Sequence, residues 1–104
     1  MNIPNELTAR YLEIKYPMST GSDEWSDIKI DFEIEDNAIM GTVSKVESGQ
    51  VDSEGIKQFR DDLEKFKERV QVYKSKDEIE SKEKELLENK IRIGLEILKM
   101  ILEA

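Results

Sequence analysis

The chain has 104 residues, sixteen of them basic and twenty-four acidic, for a formal net charge of −8, and it contains no His and no Cys. One domain is expected at this length, and 28 Leu, Ile, Val and Phe residues supply a core that a disordered chain of such high charge would lack. The missing Cys excludes disulfides, thiolate nucleophiles and Cys-bound metals; the missing His removes the usual general base and every Ser-His-Asp or Cys-His arrangement.

MNIPNELTAR has neither the basic nor the apolar region of a signal peptide. No apolar run approaches the ~20 residues that cross a bilayer. The sequence therefore reads as a soluble, cytoplasmic protein.

Pro4 suits the first turn of a short helix. Leu12, Ile14 and Tyr16 alternate with Glu13 and Lys15, which favours a strand ended by Pro17. A continuous helix from Pro4 to Lys15, with Ile3, Leu7, Tyr11 and Ile14 on one face, competes with that strand. Residues 18–27 form a polar loop that holds the single Trp.

Residues 28–35, IKIDFEIE, alternate apolar and polar throughout, as a half-buried strand does. Asp36-Asn37 suits a two-residue hairpin turn, with a second strand over about 38–47. The implied register pairs Ile34 with Ile39, Phe32 with Gly41 and Ile30 with Val43. A turn follows at 47–50.

Asp52 or Ser53 caps the next helix. Ile56, Phe59, Leu63, Phe66, Val70 and Tyr73 then recur at alternating spacings of three and four, a helical seam. Asp77 caps a second helix over about 77–103. Its first part is almost wholly charged, with Glu78–Lys82 and Glu80–Lys84 as supporting pairs. Its second part is apolar on two faces. Leu87, Ile91, Leu95, Leu98 and Leu102 form one; Leu86, Ile93, Ile97, Met100 and Ile101 form the other. A helix buried on both sides suggests a homodimer interface at Ile93, Ile97, Met100 and Ile101.

The expected fold is a single α+β domain: an antiparallel β-hairpin or three-stranded meander over 11–47, followed by two long antiparallel α-helices over 53–103.

Chemical motifs are sparse. Residues 36–47 place Asp36, Gly41, Ser44 and Glu47 where a calcium-binding EF-hand loop needs them, but Ala38 and Met40 offer no ligand oxygen and the flanks do not read as two helices. There is no glycine-rich phosphate loop. Exposed carboxylates keep ordinary pKa values and make poor general acids. Lys57, Lys65, Lys67, Arg69, Lys74 and Lys76 are interleaved with Asp61, Asp62, Glu64 and Glu68, so direct nucleic-acid binding is not expected. Neither enzymatic activity nor a metal or cofactor is expected.

The informative feature is where the charge lies. Residues 19–55 carry ten acids and two bases, which is the entire net charge of the chain. Folding does not call for such crowding, because like charges repel. On a strand, Asp31, Glu33 and Glu35 form a row spaced at about 6.7 Å, similar to successive phosphates of a nucleic-acid strand. Asp23, Glu24, Asp27 and Asp36 extend the field. Trp25 and Met40 offer contacts of the kind interfaces favour.

This pattern points to a non-catalytic inhibitor that presents an acidic hairpin to a basic, nucleic-acid-binding protein or nuclease. Small acidic nucleic-acid mimics of phages and mobile elements, and immunity proteins, share its charge and size; the analogy extends no further. The alternative is a structural or assembly protein that works through its helical hairpin and apolar C-terminal helix.

Overall fold

Four helices build the described residues, 5–104, in the computed structural model: α1 Asn5–Glu13, α2 Asp23–Glu47, α3 Ser53–Val72 and α4 Glu78–Glu103. No strand occurs among these residues. The expected α+β class is therefore wrong, and so is the hairpin at its centre. The physical reason lies in α2.

Across eight residues, IKIDFEIE has a strict period of two. Over a longer window the same segment has a helical period. Trp25, Ile28, Phe32, Ile39, Val43 and Val46 are all buried, at spacings of 3, 4, 7, 4 and 3. The gap in that series is filled by Glu35 and Asp36, both half-buried. One side of a 25-residue helix is thus buried along its length and apolar except at Glu35 and Asp36. The two isoleucines that completed the alternation, Ile30 and Ile34, remain in solvent, 54% and 72% exposed. Start signals agree with the helix. Ser22 caps it by accepting a bond from the Trp25 N–H at 3.4 Å, and Asp23 and Glu24 occupy the positive first turn.

The expected pairing of Phe32 with Gly41 does not form: Phe32 is buried against Phe66, ring centroids 5.6 Å apart, while Gly41 is exposed. The turn at 47–50 is the C-terminal stop of α2. Gly49 has φ +88, its N–H bonds to the Val46 carbonyl at 3.0 Å, and the Gln50 N–H bonds to the Lys45 carbonyl at 2.8 Å. Together these close the helix with the left-handed glycine motif.

The first strand is also absent. Tyr11 lies inside α1 and is fully buried; residues 14–22 form an irregular connection. The competing helix was nearer, although it ends at Glu13, and Ile3 and Pro4 lie outside the described residues. The other two helices start where the spacing puts them. Asp52 accepts from the Gly55 N–H at 3.1 Å and Asp77 from the Glu80 N–H at 2.8 Å.

Successive helices α2, α3 and α4 run antiparallel, and α1 packs against α4. Ion pairs Asp31–Arg69 and Glu24–Lys76 tie α2 to the descending α3 side. The core is one cluster that includes Tyr11, Trp25, Phe32, Leu63, Ile91 and Ile97. Gly94 is where three helices meet. A Cβ there would stand 2.8 Å from Ile39 Cδ1 and 3.5 Å from Tyr11 Cε2, so its missing side chain lets α1 and α2 approach α4.

Ile93, Ile97 and Ile101 belong to this core, each at most 3% exposed. Of the four residues expected at a homodimer interface, Met100 alone is exposed. Ile93, Ile97 and Ile101 of the second apolar face of α4 are covered within the same chain, so their burial does not require a second copy, while Leu86 and Met100 of that face stay exposed.

Candidate functional site on the outer face of α2

The placement of α2 depends on a buried polar anchor. Lys29 is fully buried, one helical turn beyond Trp25. Its ammonium donates to Glu83 Oε1 at 2.7 Å and to the carbonyls of Pro17 and Thr20 at 2.6 and 2.8 Å. Glu83 also accepts from Trp25 Nε1 at 3.1 Å and from the Thr20 hydroxyl at 2.6 Å. Burial pushes the Glu83 carboxyl up, but the bonds from Lys29, Thr20 and Trp25 outweigh it and hold the group below the usual range.

Glu80, one turn earlier on α4, repeats the device. It accepts from the N–H groups of Ser22 and Lys76 at 2.7 and 3.0 Å and from the Tyr73 hydroxyl at 2.5 Å. Burial alone would raise its pKa; the donated bonds lower it to about 2. Trp25 and Tyr73 stack above this network with centroids 5.2 Å apart. No buried side-chain polar atom among the described residues is left without a partner.

These residues were not legible as a site. Glu80 and Glu83 sit in the run that reads as almost wholly charged and held by pairs along the helix, and the expected Glu80–Lys84 pair is absent. Lys84 instead bonds to the carbonyls of Gln71 and Tyr73 and lies 3.9 Å from Glu88. The available signal was Lys29, a lone base amid the acids of residues 23–36.

A second cluster joins α1, α2 and α4. The Tyr11 hydroxyl donates to Asp36 at 2.5 Å, and Lys90 Nζ lies 4.5 Å from the centre of the Tyr11 ring while donating to the Ile14 carbonyl at 2.9 Å. Burial, then Asp36, pushes Tyr11 up, so it stays a protonated donor. Burial pulls Lys90 down. Tyr11, Asp36 and Lys90 are engaged in holding helices together. No group of three His, Cys, Asp or Glu side chains able to hold a metal occurs among the described residues, and residues 36–47 are continuous helix, not a calcium loop.

With Lys29 consumed inside, the outer surface of α2 is strongly acidic. The helix carries eight acids and two bases. The structure separates the expected carboxylate row. Each residue turns about 100° around a helix, so Asp31 and Glu33 diverge while Asp31 and Glu35 share a flank. That flank faces α3: Asp31 binds Arg69 at 2.7 Å, and burial, then the Asp62 charge, raises the Glu35 pKa. Glu33 lies on the opposite flank, beside Tyr16 and Met18. The spacing that resembled a phosphate backbone is therefore not realised.

Glu24 is exposed and 3.6 Å from Lys76. Asp23, Asp27 and Glu33 are exposed and make no ion pair among the described residues. Asp36 is half-buried on Tyr11. Trp25 is fully buried, and Met40 is half-buried against the core, so neither stands free as an aromatic or sulfur contact. The outer face instead presents Ile30 and Ile34, residues assigned to the interior of a sheet from the sequence pattern. They lie one helical turn apart, between the acidic flanks.

No helix among the described residues is long and apolar enough to cross a membrane. Comparison with known proteins finds no matching family, no matching curated protein and no matching solved structure.

Proposed function

We propose that the chain is a non-catalytic binding protein whose outer α2 face engages a basic protein and covers a surface that would otherwise take nucleic acid. The observation that carries this reading is the combination of Ile30 and Ile34 in solvent with a helix surface rich in carboxylates. An exposed apolar pair has no part in the core. Crowded like charge opposes folding, yet it accelerates and orients encounter with a basic partner. The buried Lys29–Glu83 and Glu80 networks hold α2 rigid, which limits the ordering cost of such an encounter.

The test is capture from nuclease-treated and untreated lysate, with salt-gradient elution and identification of the bound protein. The expected result is a basic protein that is captured better after nuclease treatment and whose binding to an oligonucleotide is displaced by the chain. Asp27→Lys/Glu33→Lys, which spares every ion pair described above, should keep its helical circular dichroism and lose the partner. Unchanged capture by the folded double variant would refute the reading.

A second reading, assembly through α4, retains one feature. A groove of about 670 Å³ lies between α3 and α4, floored by half-buried Leu95 and Leu102 and rimmed by Arg60, Glu64, Arg92 and Lys99. Sedimentation at high concentration tests it, and a monomer there would refute it.

A further inference from the structure

The apolar stripe of α2 does not stop at Ile34. Helical spacing carries it through Ala38 to Gly41, where it meets a groove of about 380 Å³ between α2 and the start of α3. Val46 and Ile56 form the buried floor of this groove, half-buried Phe59 lines it, and Ala38, Gly41 and Thr42 form its α2 edge.

Gly41 is the informative residue. It lies in the interior of α2 with no positive φ. A Cβ built there meets nothing within 4 Å. Nothing in the fold asks for glycine, and glycine in a helix interior is less stable than alanine there. What the missing side chain does is keep the groove mouth open at the end of the exposed isoleucine pair. Carboxylates flank the stripe: Asp27 and Glu33, unpaired among the described residues, beside the isoleucines, Asp31 in its pair with exposed Arg69, and Asp52 at the groove, where Lys45 is the one base of the lining.

We infer that this stripe and groove are the docking site for a basic amphipathic helix of the partner protein. Its apolar ridge lies along Ile30 and Ile34, and one bulky apolar side chain enters the groove at Gly41. The inference rests on the basic-partner reading above and specifies the shape of what binds. Charge complementarity selects a cationic occupant. The straight, ridge-like stripe suits a helix laid on a helix. From Asp27 to Lys45 the surface runs about 27 Å, which matches a partner helix of about 18 residues.

The test uses three 18-residue peptides titrated into the ¹⁵N-labelled chain: an amphipathic peptide with Leu at helical spacing on a Lys background, the same composition scrambled, and all Lys. The amphipathic peptide is expected to bind at least about tenfold more tightly than the other two and to shift the amides of Ile30, Ile34 and Gly41. Ile34→Glu and Gly41→Leu should each weaken it by about tenfold or more while remaining folded. Gly41→Ala should raise Tm by about 4 °C, showing that the glycine is not kept for the fold. Equal binding of all three peptides, unaffected by Ile34→Glu and Gly41→Leu, would overturn this inference and leave the electrostatic reading standing. Binding of none of them at low salt would overturn both. A Tm lowered by Gly41→Ala would assign the glycine to the fold and remove the argument from it.

Discussion

Replacing Lys29 with Met removes the cation at the centre of the interior. Methionine fills much of the same volume, but Glu83 then faces the core with its charge uncompensated, and the carbonyls of Pro17 and Thr20 lose their donor. Breaking a buried ion pair from one side costs about 3–5 kcal/mol, against a total of about 5–15 kcal/mol for a chain of this size. The double variant Lys29→Met/Glu83→Gln leaves no charge at this pair; its amide oxygen still accepts from Trp25, and its amide N–H can donate to the Thr20 hydroxyl. It should recover about 2 kcal/mol of the loss, a coupling of the size expected for residues in one network.

In the single variant the bond and charge of Lys29 no longer lower the Glu83 pKa, so it rises relative to that of the intact chain and the deficit shrinks as pH falls. Trp25, bonded to Glu83, gives a fluorescence signal at the site. Urea unfolding followed by that signal and by far-ultraviolet circular dichroism measures both variants. A loss below about 1 kcal/mol in the single variant, or a double variant no more stable than the single, would refute the account of Lys29 and Glu83 as a tightly coupled pair.

Two further outcomes follow from the packing. The Glu80 pKa is held at about 2 in the folded chain, below its unfolded value of about 4.3. The stability from this ionisation is complete above the unfolded value and is lost as pH falls through the folded one, an effect of order 3 kcal/mol. Glu80→Gln should flatten the dependence of unfolding free energy on pH between these limits; an unchanged slope would show that the bonds from Ser22, Tyr73 and Lys76 do not stabilise the charge. Gly94→Val places branched carbons against Ile39 and Tyr11 and should cost about 1–3 kcal/mol by overpacking, with a matching fall in Tm; an unchanged Tm would mean that the three helices can separate without loss.

The two C-terminal helices were legible from sequence because each carries a seam with a clear 3.6-residue period and an aspartate cap, Asp52 or Asp77. The N-terminal half misled for a specific reason. Ile28, Ile30, Phe32 and Ile34 satisfy a period of two over eight residues, and a short window cannot tell that from half of a longer helical pattern. The longer pattern existed, from Trp25 to Val46, but Glu35 and Asp36 interrupt it. The 25-residue helix buries one continuous side against α3 and α4 and leaves Ile30 and Ile34 in solvent.

The candidate site followed the same division. Composition alone located the acidity in residues 19–55, because charge is a local property of the chain. It could not say which carboxylates would be free. Asp31 and Glu24 found cations on α3 or its end, Asp36 found Tyr11, and Asp23, Asp27 and Glu33 found none. Pairings across 25 to 60 residues depend on how helices are laid against one another, and no local pattern contains that information. Trp25, Ile97 and their neighbours went inside for the same reason, as did Lys29 and Glu83, whose charges are tolerable there because each supplies the other's partner. What the sequence by itself determined was the number of apolar and acidic residues and the caps of two helices; which of those residues remained in water was decided by tertiary packing, since burial is a property of neighbours and not of residues.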